Sequence, residues 1–150
     1  MNGAHWHLIL NHLPLIFPLV ALIVLITGFI SKSELVKRTA FLIFILGAVT
    51  TIAAMATGEG AEDVAEKLAG VTKNYIEEHE HAAETFAVLS YALGLSSLIA
   101  IWASLKKKSF SNSISFGILC FALIIMFFAK KAGTTGGEIR HEEIRADFKK

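Results

Sequence analysis

The chain has 150 residues, 54% of them hydrophobic, a mean hydropathy of +0.59 and a formal charge of +1. So apolar a composition excludes a soluble globular chain of this length, and the absence of a long or aromatic-interleaved basic run excludes a nucleic-acid binder. Cys120 is the single cysteine, which rules out an intrachain disulfide or a multi-thiolate site within one chain.

The N-terminal MNGAHWH lacks a basic region, and no small-residue cleavage pattern follows the first apolar run, so an uncleaved first span starting from Met1 is expected. From Leu8 to Ser31 the only ionisable residue is His12; residues 39–58, 85–105 and 109–129 hold no charged side chain, giving runs of 24, 20, 21 and 21 residues. A helix needs about 20 apolar residues to cross a hydrocarbon core of roughly 30 Å. Barrel strands need only about 10 and alternate their faces, which these runs do not. The expected fold is therefore an all-α membrane protein of one domain, four transmembrane helices in an up-down-up-down bundle, with spans at about 8–31, 39–58, 82–105 and 109–130.

Residues 32–38 carry Lys32, Lys37 and Arg38 against Glu34, and 106–108 are three lysines. The positive-inside rule makes those loops cytoplasmic, with both termini on the extracytoplasmic side of a bacterial inner membrane. Lys130 and Lys131, just after the fourth run, oppose this orientation. The 59–80 connection is acidic and extracytoplasmic on this reading. Val64 and Leu68, four residues apart in AEDVAEKLAG, predict a short amphipathic helix over 61–70 lying on the bundle mouth, with Gly70 as its stop. Gly47, Ala48, Ala53, Ala54 and Gly58 in span two, and Ala87, Gly94, Ser97 and Ala100 in span three, predict small-residue packing seams. Phe41, Phe44, Phe86, Phe127 and Phe128 suit packing and lipid contact better than the wall of a macrocycle, and Trp6 and Trp102 suit the interfacial belts.

An even number of crossings puts all six histidines (His5, His7, His12, His79, His81 and His141) on one side. His12 lies four residues into the first run, where an ionisable group is costly and faces the bundle interior by default. His5, seven residues earlier, shares its face, whereas His7 points elsewhere and reads as interfacial. In Glu77-Glu78-His79-Glu80-His81, the two histidines are about 200° apart on a helix, so one of them at most faces a common centre. Glu78-x-x-His81 and Glu138-x-x-His141 have the spacing of carboxylate-bridged di-metal bundles. The 132–150 tail opens with Gly133, Gly136 and Gly137, whose backbone freedom allows either a turn that brings His141 back over the mouth or a simple flexible exit.

Asn11-His12-Leu13-Pro14 with Pro18, Thr57-Gly58 ending span two, a histidine ahead of an alanine-rich span three, and Gly136-Gly137-Glu138-Ile139 after span four resemble the bacterial DUF2231 family of small four-span membrane proteins. The resemblance covers nearly the whole chain and implies a redox-associated setting, with His12, one of His79 or His81, and His141 as the matching positions. The carboxylate-rich 59–84 region departs from the simpler members.

Three readings follow. In the first, His12, His79, His81 and His141 are the cofactor-binding candidates, two of them ligating a b-type haem that passes single electrons. In the second, His12, Glu59, Glu62, Glu78, His81, Glu84 and His141 hold a non-haem zinc or iron ion. In the third there is no cofactor, and the chain is a structural subunit of a membrane complex. The partners expected are the lipid bilayer, a redox partner or membrane-complex subunit and, in a homodimer, a second copy of the chain. No nucleophile beside a base, phosphate-binding glycine loop or duplicated transporter half supports catalysis.

Overall fold

The computed structural model describes residues 2–146 and 148. Its helices are α1 (Gly3–Leu10), α2 (Leu13–Ile30), α3 (Glu34–Ala56), α4 (Gly58–Ala65), α5 (Lys73–Leu105) and α6 (Ser111–Glu138), followed by a 3-10 turn at Glu142–Ile144. No strand occurs among the described residues. Gly3–Ile30, α3, α5 and α6 are each long and apolar enough to cross a membrane, which makes this a multi-pass membrane protein.

A repeat alternating steps of three and four residues sets the inward faces. Pro14, Pro18, Ala21, Leu25 and Gly28 are buried on α2; Phe86, Ser90, Leu93, Ser97, Ala100 and Ser104 on α5; Ser115, Ile118, Ala122, Ile125, Ala129 and Ala132 on α6. Small residues dominate these stripes because lipid tails are as apolar as leucine, so close backbone approach and polar contacts drive the association. The helices pack α2 on α3, α3 on α5 and α5 on α6, and α6 returns to α2 along the loosest seam. Leu25, Phe41, Phe44, Leu93 and Ile125 fill the centre, Phe86 packs beside them, and Ile23, Leu42, Leu95 and Phe127 face outward. Across α3 and α5, Thr51 and Ser90 satisfy each other at 3.0 Å.

One end of the bundle is closed by two tight loops. Lys32 (φ 51°) and Lys107 (φ 49°) occupy left-handed positions, and the bonds Ser33 N–H to Gly28 O and Lys108 N–H to Ala103 O close both helix ends in the same way. Lys37 lies inside this end, only 4% exposed. It pairs with Glu34, donates to Asn112 Oδ1 at 2.7 Å and stands 5.3 Å from the Phe29 ring centre, while Ser104 donates to Glu34 at 2.7 Å. A Cβ on Gly28 would lie 2.7 Å from Lys37 Cγ, so the glycine makes room for the lysine stem. Residues of α2, α3 and α6 thus meet at one ammonium, with Ser104 of α5 supporting its carboxylate, whereas in sequence Lys37 is only one of the loop charges.

At the other end three boundaries differ from expectation. The first span begins earlier, at Gly3, and breaks at Asn11–His12, because Pro14 has no N–H to donate to Leu10. The sixth helix runs through Gly133–Gly137 to Glu138, where a turn or a flexible exit was expected. Those glycines serve close contact within the helix: Gly133 lies against Leu15 and Gly136 against His79. The chain does fold back, but beyond the helix. Arg145 donates to the carbonyls of Glu138 and Gly70 at 2.8 and 3.0 Å and stacks 4.2 Å from the Tyr75 ring centre. Helix α4 occupies 58–65, earlier than the expected 61–70, and is pinned to α1 where a Cβ on Gly3 would sit 2.6 Å from the Gly60 backbone.

Candidate functional site

Two imidazoles are turned into the protein at this end, His7 of α1 and His79 of α5, both partly buried. His7 Nδ1 is 3.1 Å from Ala54 O and 3.2 Å from Thr57 Oγ1 at the end of α3. His79 Nδ1 is 3.3 Å from Thr135 Oγ1 of α6 and also meets the Ala132 backbone. A Cβ on Gly136 would come within 2.9 Å of His79 Cε1, so the absence of a side chain at Gly136 lets the ring come close to the α6 backbone. The rings are within electrostatic reach of one another. His7 rests on the end of α3 and His79 on α6, and both α3 and α6 pack against α5.

The hydroxyl bonds fix the tautomers. Thr57 donates its proton to Ala53 O or Ala54 O, and Thr135 donates its proton to Lys131 O or Ala132 O, the usual back-bonding of a helical threonine. Each hydroxyl oxygen therefore meets the histidine as an acceptor, and the Ala54 carbonyl accepts by nature. Both imidazoles are Nδ1–H donors, which leaves the Nε2 lone pair of each free. Metal-ligating histidines are oriented in this way. Asn11, one turn beyond His7, adds a buried Oδ1 with no hydrogen-bond partner.

The other sequence candidates lie elsewhere. His12 is exposed at the start of α2, contrary to the expected inward position, because Pro14 and Pro18 take the inner face against α3. His5 shares that outer exposure. His81 is outward, 4.0 Å from Glu84, and His141 is exposed, 2.9 Å from Glu143. The Glu143 carboxyl is held below the usual range by its own backbone N–H and then by His141. Glu59, Glu78 and Glu84 are exposed. Glu62 meets Glu80, whose hydrogen bond and then charge push the Glu62 carboxyl above the ordinary glutamate range. Among the described residues no three His, Cys, Asp or Glu side chains gather closely enough to hold a metal ion.

Of the two sequence alternatives, His79 is turned inward and His81 is exposed. A helical face counted from His12 leaves His7 pointing elsewhere. The spacing His7, Asn11, Pro14, Pro18, Ala21, Leu25, Gly28 continues the buried stripe of α2 back to the histidine, and that signal was available. No protein-family model, curated protein or solved structure matches the chain.

Proposed function

We propose that the protein binds a b-type haem between His7 and His79 and transfers single electrons at one face of the membrane. The observation that carries this reading is the pair of inward imidazoles from different spans, each held through Nδ1 by an oxygen acceptor with Nε2 left free. The donor set fits: the two neutral imidazole nitrogens of His7 and His79 would hold haem iron, and the orphaned Asn11 Oδ1 would offer an acceptor to the bound group. When bound, haem supplies a one-electron couple. Ala54, Thr57, Ala132 and Thr135 hold the two rings in orientation, and the Gly136 backbone lets His79 approach α6.

The site belongs to an up-down-up-down bundle in this reading. Support comes from contacts that pair early with late residues: Gly3 with Gly60, Pro18 with Gly47 and Gly28 with Lys37, then Ala48 with Gly94 and Glu34 with Ser104. The exposed Lys32 and Lys106–Lys108 support, by the positive-inside rule, a cytoplasmic assignment of the opposite end. Both termini and the amphipathic α4 then lie on the extracytoplasmic side of a bacterial inner membrane. Protein expressed with ample haem and purified in detergent is expected to show a Soret band, and its pyridine haemochrome to report protohaem. An absorption spectrum without a Soret band under those conditions rejects the proposal.

A further inference from the structure

A second feature lies on the outer flank of the bundle, along the loose seam between α2 and α6. It is an open groove of about 380 Å³, walled by Leu15, Ile16 and Leu19 on one side and Met126 on the other, with Lys130 and Thr134 as its polar members. That volume is in the range of ordinary ligand clefts, about 300–1,000 Å³. Lys130 ends a charge-free run of 21 residues and runs against the charge pattern of the loops. It has no carboxylate partner among the described residues. Helix α2 contains no acid, and the only one in α6 is Glu138, two turns further on. Among the described residues, then, this ammonium beside an apolar slot at the edge of the hydrocarbon lacks a counter-ion.

We propose that this groove seats one acyl chain of an anionic phospholipid, with the lipid phosphate on the Lys130 ammonium and the Thr134 hydroxyl. Charge complementarity selects the occupant, since a neutral amphiphile of the same shape leaves the cation uncompensated. The opening faces outward from the bundle, so the chain enters sideways from the bilayer and fills the one seam that protein side chains leave loose. This site is independent of the two imidazoles.

Native mass spectrometry of the full-length protein in detergent, titrated with dioleoyl phosphatidylglycerol or dioleoyl phosphatidylcholine, tests the proposal. One phosphatidylglycerol is expected to bind more tightly than any phosphatidylcholine. Lys130→Gln is expected to weaken that first site about fivefold, equivalent to about 1 kcal/mol. Lys131→Gln, adjacent but outside the groove, should leave it unchanged. Both lysines are exposed, so the variants fold, and thermal unfolding in detergent verifies this. Equal losses from the two variants would reveal only a general attraction of lysines for anions and overturn the assignment. Equal affinity for the two lipids, or displacement of phosphatidylglycerol by a neutral prenylquinone, overturns it as well.

Discussion

The two ends of the bundle both bury polar groups, and the ammonium at one is partnered differently from the imidazoles at the other. Arg38 Nε and Ser111 Oγ beside the Lys37 cluster are nonetheless buried without a hydrogen-bond partner, as Asn11 Oδ1 is at the far end. Around Lys37 the partners are complete: a carboxylate, an amide oxygen and an aromatic face meet one ammonium, and Ser104 supports the carboxylate in turn. Around His7 and His79 each ring has one nitrogen fixed and one left over, and Asn11 Oδ1 has no partner. A fully partnered group is a fastening, whereas one with an unused lone pair has capacity for something else. Under the proposed function, Lys37 belongs to a structural end of the bundle and the two imidazoles to a functional one.

The largest effect expected is on the functional end alone. His7→Ala and His79→Ala should each abolish the Soret band while leaving helical circular dichroism intact, whereas His12→Ala, His81→Ala and His141→Ala should retain it. Loss of the band in His12→Ala with retention in His7→Ala would reverse the assignment. At the structural end, Lys37→Met leaves Asn112 and Glu34 without their cation and should cost about 2 kcal/mol, the usual scale for hydrogen bonds to a charged group. That appears as a lower thermal midpoint in detergent, with the absorption spectrum of the folded fraction unchanged. A midpoint equal to that of the parent would mean that the Lys37 network is not a fastening.

Much of this contrast was legible beforehand, and unevenly. The four spans follow from charge-free runs, and the choice between His79 and His81 was narrowed by a 200° separation on one helix. In the structure Ala82 and Phe86, on the His79 side, are buried, whereas Glu77, His81 and Glu84 are exposed. His7 escaped because an ionisable residue inside an apolar run attracted the inward assignment to His12. In physical terms the prolines override that preference: the small buried Pro14 and Pro18 define the packing face, and His12 falls about 100° from Asn11, off that stripe. The burial of Lys37 was not legible, because it depends on a glycine, a phenylalanine, an asparagine and a serine from the three other spans arriving at one place.

Two smaller effects sharpen the comparison. Gly136→Ala places a methyl 2.9 Å from His79 Cε1 and should displace the ring, lowering stability by about 1–3 kcal/mol and shifting the Soret maximum. An unchanged spectrum would show that His79 is free to move. The smallest effect concerns pH at the Glu62–Glu80 contact. A carboxyl pushed up in the folded state favours the protonated form there, so the contact is firmest below the ordinary glutamate range and loosens as pH rises through the raised value. Amide exchange across 58–65, corrected for its intrinsic pH dependence, should therefore show more protection at about pH 4 than at about pH 7. Glu62→Gln should remove the difference, and a pH response that survives that substitution would place its origin elsewhere.

The left-handed lysines have a consequence for how the chain is made. At Lys32 and Lys107 a glycine would relieve a backbone penalty of about 1–2 kcal/mol at each bend. Exchanging both would yield a sturdier finished molecule and, with two fewer cations in its short bends, a newly synthesised chain less decided about which way round to insert. On the proposed orientation, those two positions favour correct delivery into the bilayer over durability once there.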